Sequence, residues 1–245
     1  GNVCILKHAS NVSGCALLIE KLIKECFPYP NVFRTLIISS SQVADVISND
    51  KVKAVTLTGS EYAGSQVAMK AGKEIKKTVL ELGGSDCFIV LEDADVEKAA
   101  KTAVAARFLN AGQSCIAAKR FLIHDKIHDT FVAKVEILIK NLNMGNPLLD
   151  ETQIGPLAKI EFVDEIDRLV QSSIKKGAKC ILGGKKNDSY YYPTLLINID
   201  ERMDVFNYET FGPVFCVTRI NSTDEAIALA NNSDYGLGGS VWTSD

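Results

Sequence analysis

The 245-residue sequence predicts an α/β fold, and three observations carry that prediction. Apolar residues make up 47% of the chain and charged residues 23%, an ordinary globular balance that excludes disorder as the main state. Short apolar runs alternate with helix-period segments over residues 1–82, at the spacing of parallel strands joined by crossover helices. Beyond Gly83-Gly84 the alternation resumes in longer elements. The boundary is therefore placed there, giving segments 1–82 and 83–245.

In the first segment, Val3–Leu6 reads as a buried-type strand. Asn11 or Ser13 can cap a helix running to about Cys26, with Leu17, Leu18, Leu22 and Ile23 at helical spacing and Pro28 enforcing its end. Phe33–Ile38 is the next strand, and a short helix from Ser41 carries Val43, Val46 and Ile47. Val52–Leu57 is a strand, Glu61–Lys70 a helix and Thr78–Leu82 a strand. Sheets of this kind bind ligands beyond the carboxyl ends of their strands.

In the second segment, Cys87–Leu91 is a strand, and Asp93 or Asp95 caps a helix to about Leu109. The loop Asn110–Cys115 follows, then strand Arg120–Ile123, helix Ile127–Asn141 and a Pro/Gly-rich loop over Gly145–Gly155. Ile160–Lys176 is a helix; Lys179–Leu182 and Tyr192–Ile199 are strands, with Pro193 at the start of the latter. No element is assigned between Ile199 and Thr223. Thr223–Asn231 is a helix and Gly239–Thr243 the last strand.

Composition also narrows function. A net charge of −3 and a pI near 5.7 give no basic footprint for nucleic acid or an anionic membrane. No apolar run reaches the length of a membrane span. The seven cysteines include no C-x-x-C pair, which argues against a metal cluster and fits reduced thiols in the cytoplasm. The chain starts at Gly1 with no Met and ends just after a strand. Neither end reads as a natural terminus, so the expectation is a piece of a longer polypeptide.

Four segments are candidates for chemistry, each beside a plainer reading. Cys115 in Asn110-Ala-Gly-Gln-Ser-Cys115 is a possible loop nucleophile, although a free cysteine is more often a small core residue. Glu81 in Glu81-Leu82-Gly83-Gly84 is a carboxylate at a strand's carboxyl end, suited to a general base. The glycines after it allow a backbone or cofactor to come close. A surface Glu beside a turn is the plainer alternative. Thr58-Gly59-Ser60 leads into a helix that also carries Gly64. That arrangement suits a phosphate, and equally a capped turn. Glu209 in Glu209-Thr-Phe211-Gly-Pro213 is an acid able to hydrogen-bond a sugar diol, or part of an ordinary turn. His124-Asp-Lys-Ile-His128 has the i,i+4 spacing of a zinc helix but lacks the Glu after the first His. Two solvated histidines are the better reading there.

Taken in order, the motifs are Leu6-Lys7, Thr58-Gly-Ser60, Glu81-Leu-Gly-Gly, Gly112-Gln-Ser-Cys115, Glu209-Thr-Phe-Gly-Pro and Asn231-x-x-x-Tyr-Gly-Leu237, with Cys115 34 positions after Glu81. This series resembles the NAD(P)-dependent aldehyde dehydrogenase superfamily, over essentially the whole chain. Leu6-Lys7-His-Ala-Ser-Asn11 and Ala117-Ala-Lys-Arg120 look most like its bacterial succinate-semialdehyde dehydrogenases. The resemblance implies part of a Rossmann-like dinucleotide-binding domain over 1–82 and an α/β catalytic domain over 83–245. It also implies a parent that is a homo-oligomer acting on a small-molecule aldehyde.

The resemblance gives Cys115 the attack on the aldehyde carbon to form a thiohemiacetal. Hydride then passes to the nicotinamide, and Glu81 activates the water that hydrolyses the resulting thioester. It places Lys7 and Ser10 at the adenosine ribose, and Gly59, Ser60 and Gly64 at the pyrophosphate and its helix. Leu82, Glu209 and Phe211 fall beside the nicotinamide ribose. The cofactor is NADP or NAD. Ser10 stands where NAD-preferring members carry Glu, and a serine does not repel a 2′-phosphate. The family's upstream Pro-Trp-Asn segment, whose Asn donates to the oxyanion, is absent, so this chain alone is expected to be weakly active or inactive. Arg107 and Arg120 are candidates to meet a substrate carboxylate. Two other function classes stay open: a non-catalytic nucleotide-binding module, and a nucleotide-independent thiol hydrolase built on Cys115.

Overall fold

The computed structural model describes residues 1–245. The chain divides into two compact units, Gly1–Leu82 and Gly83–Asp245, and both are α/β.

The first unit contains β1 (Cys4–Leu6), α1 (Ser13–Cys26), β2 (Phe33–Thr35), α2 (Val43–Ser48), β3 (Ala54–Thr58), α3 (Glu61–Lys73) and β4 (Lys77–Glu81). β1 pairs in parallel with β2, and β3 with β4. Strand β2 stops at Thr35, short of the expected Ile38, because β1 offers it only three residues to pair with. Neither Asn11 nor Ser13 caps α1. A 3₁₀ turn over Ser10–Val12 leads into the helix, and Ser13 Oγ donates to the Ser10 carbonyl (3.0 Å). The helix turns Ala16 and Glu20 inward. Glu20 accepts from Thr35 N (2.7 Å) and Arg34 (3.1 Å) and pairs with Lys24 (2.6 Å). This fastens α1 to β2, and the same three donors hold the Glu20 carboxyl down at about 2. Leu17, Leu18 and Leu22 stay about half exposed.

The second unit contains β5 (Cys87–Val90), α4 (Val96–Phe108), β6 (Arg120–His124), α5 (Asp125–Lys140), α6 (Ile160–Lys175), β7 (Lys179–Leu182), β8 (Lys186–Asn187), β9 (Tyr190–Tyr191), β10 (Thr194–Ile197), α7 (Asp204–Asn207), β11 (Val214–Ile220), α8 (Thr223–Asn231) and β12 (Gly239–Trp242). Six strands form one sheet in the order β12-β5-β6-β11-β10-β7. All its neighbours are parallel except β7, which runs antiparallel to β10.

Register makes the core legible. Phe88 lies opposite Phe121, while Phe215 and Trp242 sit diagonally to them on the neighbouring strands. All four therefore share one face, as diagonal neighbours on a pleated sheet do. Their rings form a ladder, with Phe121 and Phe215 stacked at 3.6 Å and Phe88 5.3 Å from Trp242.

The interior strand β11, which the sequence reading left unassigned, is the largest departure. Six of its seven residues are buried. A strand covered on both faces shows no apolar–polar alternation, so its signal is a plain apolar run. No helix is long and apolar enough to cross a membrane.

Candidate active site

In the second unit, helix α4 starts on an Asp95 cap, whose carboxylate accepts from Lys98 N (3.0 Å). The helix ends just before the Cys115 loop. Asn110, Ala111 and Gly112 then take three successive left-handed conformations, with φ of 51°, 55° and 76°. A left-handed alanine costs on the order of 1–3 kcal/mol unless its surroundings enforce it. Here they do. Asn110 and Gln113 bond each other's carbonyls through their side-chain amides (3.0 and 3.3 Å), and Gln113 Oε1 accepts from Ala158 N (2.8 Å).

Arg107 grips the same loop from beneath. It is fully buried and donates to the carbonyls of Ala118 (3.0 Å), Gly112 (3.2 Å), Thr210 (2.7 Å) and Gly212. Burial draws its guanidinium down to about 10, which leaves it charged at neutral pH. Gly112 has no room for a side chain, since a Cβ there would stand 2.2 Å from the Gly212 carbonyl oxygen. The Gly112→Ala variant is therefore expected to lose about 2–4 kcal/mol, from positive φ plus overpacking against backbone. Chemical denaturation measures this, and a loss under about 0.5 kcal/mol would contradict the close approach.

Cys115 is partly buried and unpaired. Its carbonyl lies where a Cβ on Gly84 would fall, at 2.5 Å. The close approach expected of the Gly83-Gly84 pair is thus made here by the backbone of the cysteine loop. Gly84 N donates to Glu209 Oε1 (3.2 Å), and that same oxygen lies 3.2 Å from Lys119 Nζ. Lys119 also donates to the carbonyls of Ser114 (3.2 Å), Cys115 (3.1 Å) and Ala117 (3.0 Å). Cys115 and Glu209 therefore meet on a residue that the sequence offered only as part of Ala117-Ala-Lys-Arg120. A lysine four residues after the cysteine was the available signal. Phe211 is 36% exposed, beside Gly212, whose tight fit against Ile166 leaves no space for a Cβ.

Two expectations are corrected. Arg107 and Arg120 do not present free guanidinium groups to a substrate carboxylate. Arg107 is bound as described, and Arg120 donates to the carbonyls of Ser85 (2.9 Å), Leu229 (2.8 Å) and Ala230 (2.9 Å). Arg107 satisfies buried loop carbonyls, and Arg120 joins Ser85 to the last turn of α8. The second correction concerns His128, which is buried rather than solvated, with Nδ1 at 2.8 Å from Asp129 and 2.9 Å from Arg219. His128 lies on the inward stripe of α5, at helical spacing with the buried Phe131, Val135 and Ile139.

In the first unit, the predicted residues gather at strand ends. Thr58 lies opposite Glu81 in the β3–β4 register, and Gly59 N donates to the Glu81 carbonyl (2.9 Å). Ser60 Oγ accepts from Ala63 N (3.3 Å) and so caps α3. A Cβ on Gly64 would meet the Leu82 side chain at 2.6 Å, so this glycine lets Leu82 lie on the helix. Lys7 and the exposed Ser10 follow the carboxyl end of β1.

Known proteins place these features in context. The model of the aldehyde dehydrogenase family matches residues 1–245. A protein of Mycobacterium avium named succinate-semialdehyde dehydrogenase [NADP(+)] is 48% identical over all of this chain, which covers 52% of it. The solved succinic semialdehyde dehydrogenase of Streptococcus pyogenes, in complex with NADP+, is 36% identical, with a TM-score of 0.96 over 100% of this chain and 55% of that one. Lactaldehyde dehydrogenase from Escherichia coli also reaches 0.96, at 34% identity, with 100% of this chain and 52% of that one covered. The chain thus spans about half the length of these relatives. With its ordered motifs, its α/β units and a match along its full length, the chain belongs to the aldehyde dehydrogenase family.

Proposed function

We propose that the protein oxidises a small aldehyde, succinic semialdehyde foremost, to the carboxylic acid with NADP or NAD. The observation that carries this reading is the convergence of the strained Cys115 loop and the Glu209 carboxylate on Lys119. Cys115 is the nucleophile, and its sulfur takes the aldehyde carbon as a thiohemiacetal and then as a thioester. Its backbone N–H is one donor to the oxyanion. Glu81 takes the proton of the water that releases the acid.

Residues of this chain fit a dinucleotide. The Ser60-capped start of α3 follows a parallel strand, where free amides and the helix dipole favour a phosphate. Gly59 lies in that turn, and Gly64 lets Leu82 pack against the helix. Glu209, anchored through Oε1, offers Oε2 to a ribose hydroxyl, with Phe211 alongside. Lys7 meets the adenosine ribose. When bound, the nicotinamide supplies a hydride acceptor. Residues 1–82 thus serve the cofactor, and 83–245 carry the nucleophile. The naming of the Mycobacterium and Streptococcus relatives supports both the semialdehyde and NADP. The test is aldehyde-dependent formation of reduced nicotinamide, followed by ultraviolet absorbance. Absence of any turnover in the full-length protein would refute the proposal.

Ser10 sets cofactor choice in this reading. Ser10→Glu brings a carboxylate towards the 2′-phosphate, a repulsion of about 1–4 kcal/mol at about 4 Å. The ratio of kcat/KM for NADP over NAD is expected to fall about tenfold or more. An unchanged ratio would remove Ser10 from this role.

A further inference from the structure

Lys119 is 1% exposed, and four oxygens share its three ammonium hydrogens: the carbonyls of Ser114, Cys115 and Ala117 and the Glu209 carboxylate, all within 3.2 Å. Its own N–H is fixed on the Asp86 carbonyl (3.0 Å), so the root of the side chain is held as well as its tip. Burial and the Arg107 charge pull the ammonium below the ordinary lysine range, and Glu209 opposes that pull. The carboxylate thus helps keep the cation charged where it holds the loop. Cys115 lies at the centre of the carbonyls so bound.

We propose that Lys119 is a positioning residue whose single ammonium fixes both the Cys115 loop and the Glu209 carboxylate, so that thiol reactivity and cofactor affinity depend on the same group. This rests on the roles given above to Cys115 and Glu209. It adds that the two are coupled within the second unit.

Two readouts separate the proposal from the dehydrogenase reading. Alkylation of Cys115 by iodoacetamide needs neither cofactor nor aldehyde, and the tryptic peptide beginning at Phe108 carries Cys115 as its only thiol. In Lys119→Met the alkylation rate should fall about threefold or more, because the carbonyls of Ser114, Cys115 and Ala117 lose the common donor that fixes the thiol's place. In turnover, kcat should fall about tenfold or more through misplacement of the thiol, and KM for NADP should rise. Lys119→Arg, which keeps the charge and the donors, should recover most of both losses. A folded Lys119→Met protein with wild-type alkylation, kcat and KM overturns the proposal. If that variant does not fold, Lys119→Gln takes its place under the same criteria. Failure of both to fold would assign Lys119 to stability alone and overturn the proposal too. Absence of turnover in the full-length wild-type protein would sink the dehydrogenase reading by itself, whereas the alkylation comparison would still decide the hold of Lys119 on the loop.

Discussion

Cys115→Ala is expected to abolish aldehyde-dependent formation of reduced nicotinamide, by on the order of 10⁴-fold or more, the scale seen when a nucleophile is removed. The substitution is small and the site is only partly buried. The contacts that shape the loop come from backbone carbonyls and from Asn110, Gln113, Arg107 and Lys119. The fold should therefore survive, and unchanged circular dichroism and nucleotide binding would confirm that it had. Turnover that persists in Cys115→Ala would displace Cys115 from the chemistry. Nucleotide-independent ester cleavage, lost in the same variant, would favour a thiol hydrolase instead.

Arg107→Met should be strongly destabilising, at about 3–5 kcal/mol, because several buried carbonyls lose their common donor at once. Methionine keeps an apolar stem like that of arginine but donates nothing. The carbonyls of Ala118, Gly112, Thr210 and Gly212 would lose their common donor in the interior, and each unpaired buried group costs about 1–3 kcal/mol. The strain at Asn110 and Ala111 would then lose part of what enforces it. Urea unfolding of the wild type and the variant measures the difference. A loss under about 1 kcal/mol would mean that the carbonyls find other partners.

The elements most legible in the sequence were those with local signals. Ser60 and Asp95 cap helices as their positions suggested. The helices α3, α4, α6 and α8 fall within a few residues of where period and capping put them. Strand β11 escaped because burial on both faces removed its alternation. His128 escaped because it was read beside His124 as a pair, whereas helical spacing puts it on the buried stripe of α5 with Phe131, Val135 and Ile139.

The sequence by itself determined the α/β class, the ordered motifs and the residue types offered for chemistry, because period, capping and turn chemistry act over a few neighbouring residues. Tertiary structure alone decided what the cations do. Arg107 meets Thr210 and Gly212, about a hundred residues away, and Lys119 meets Glu209, ninety residues on. No local pattern reports such a partner. A cation taken out of water must find oxygens wherever the fold brings them, and here the fold brings the backbone of the Cys115 loop.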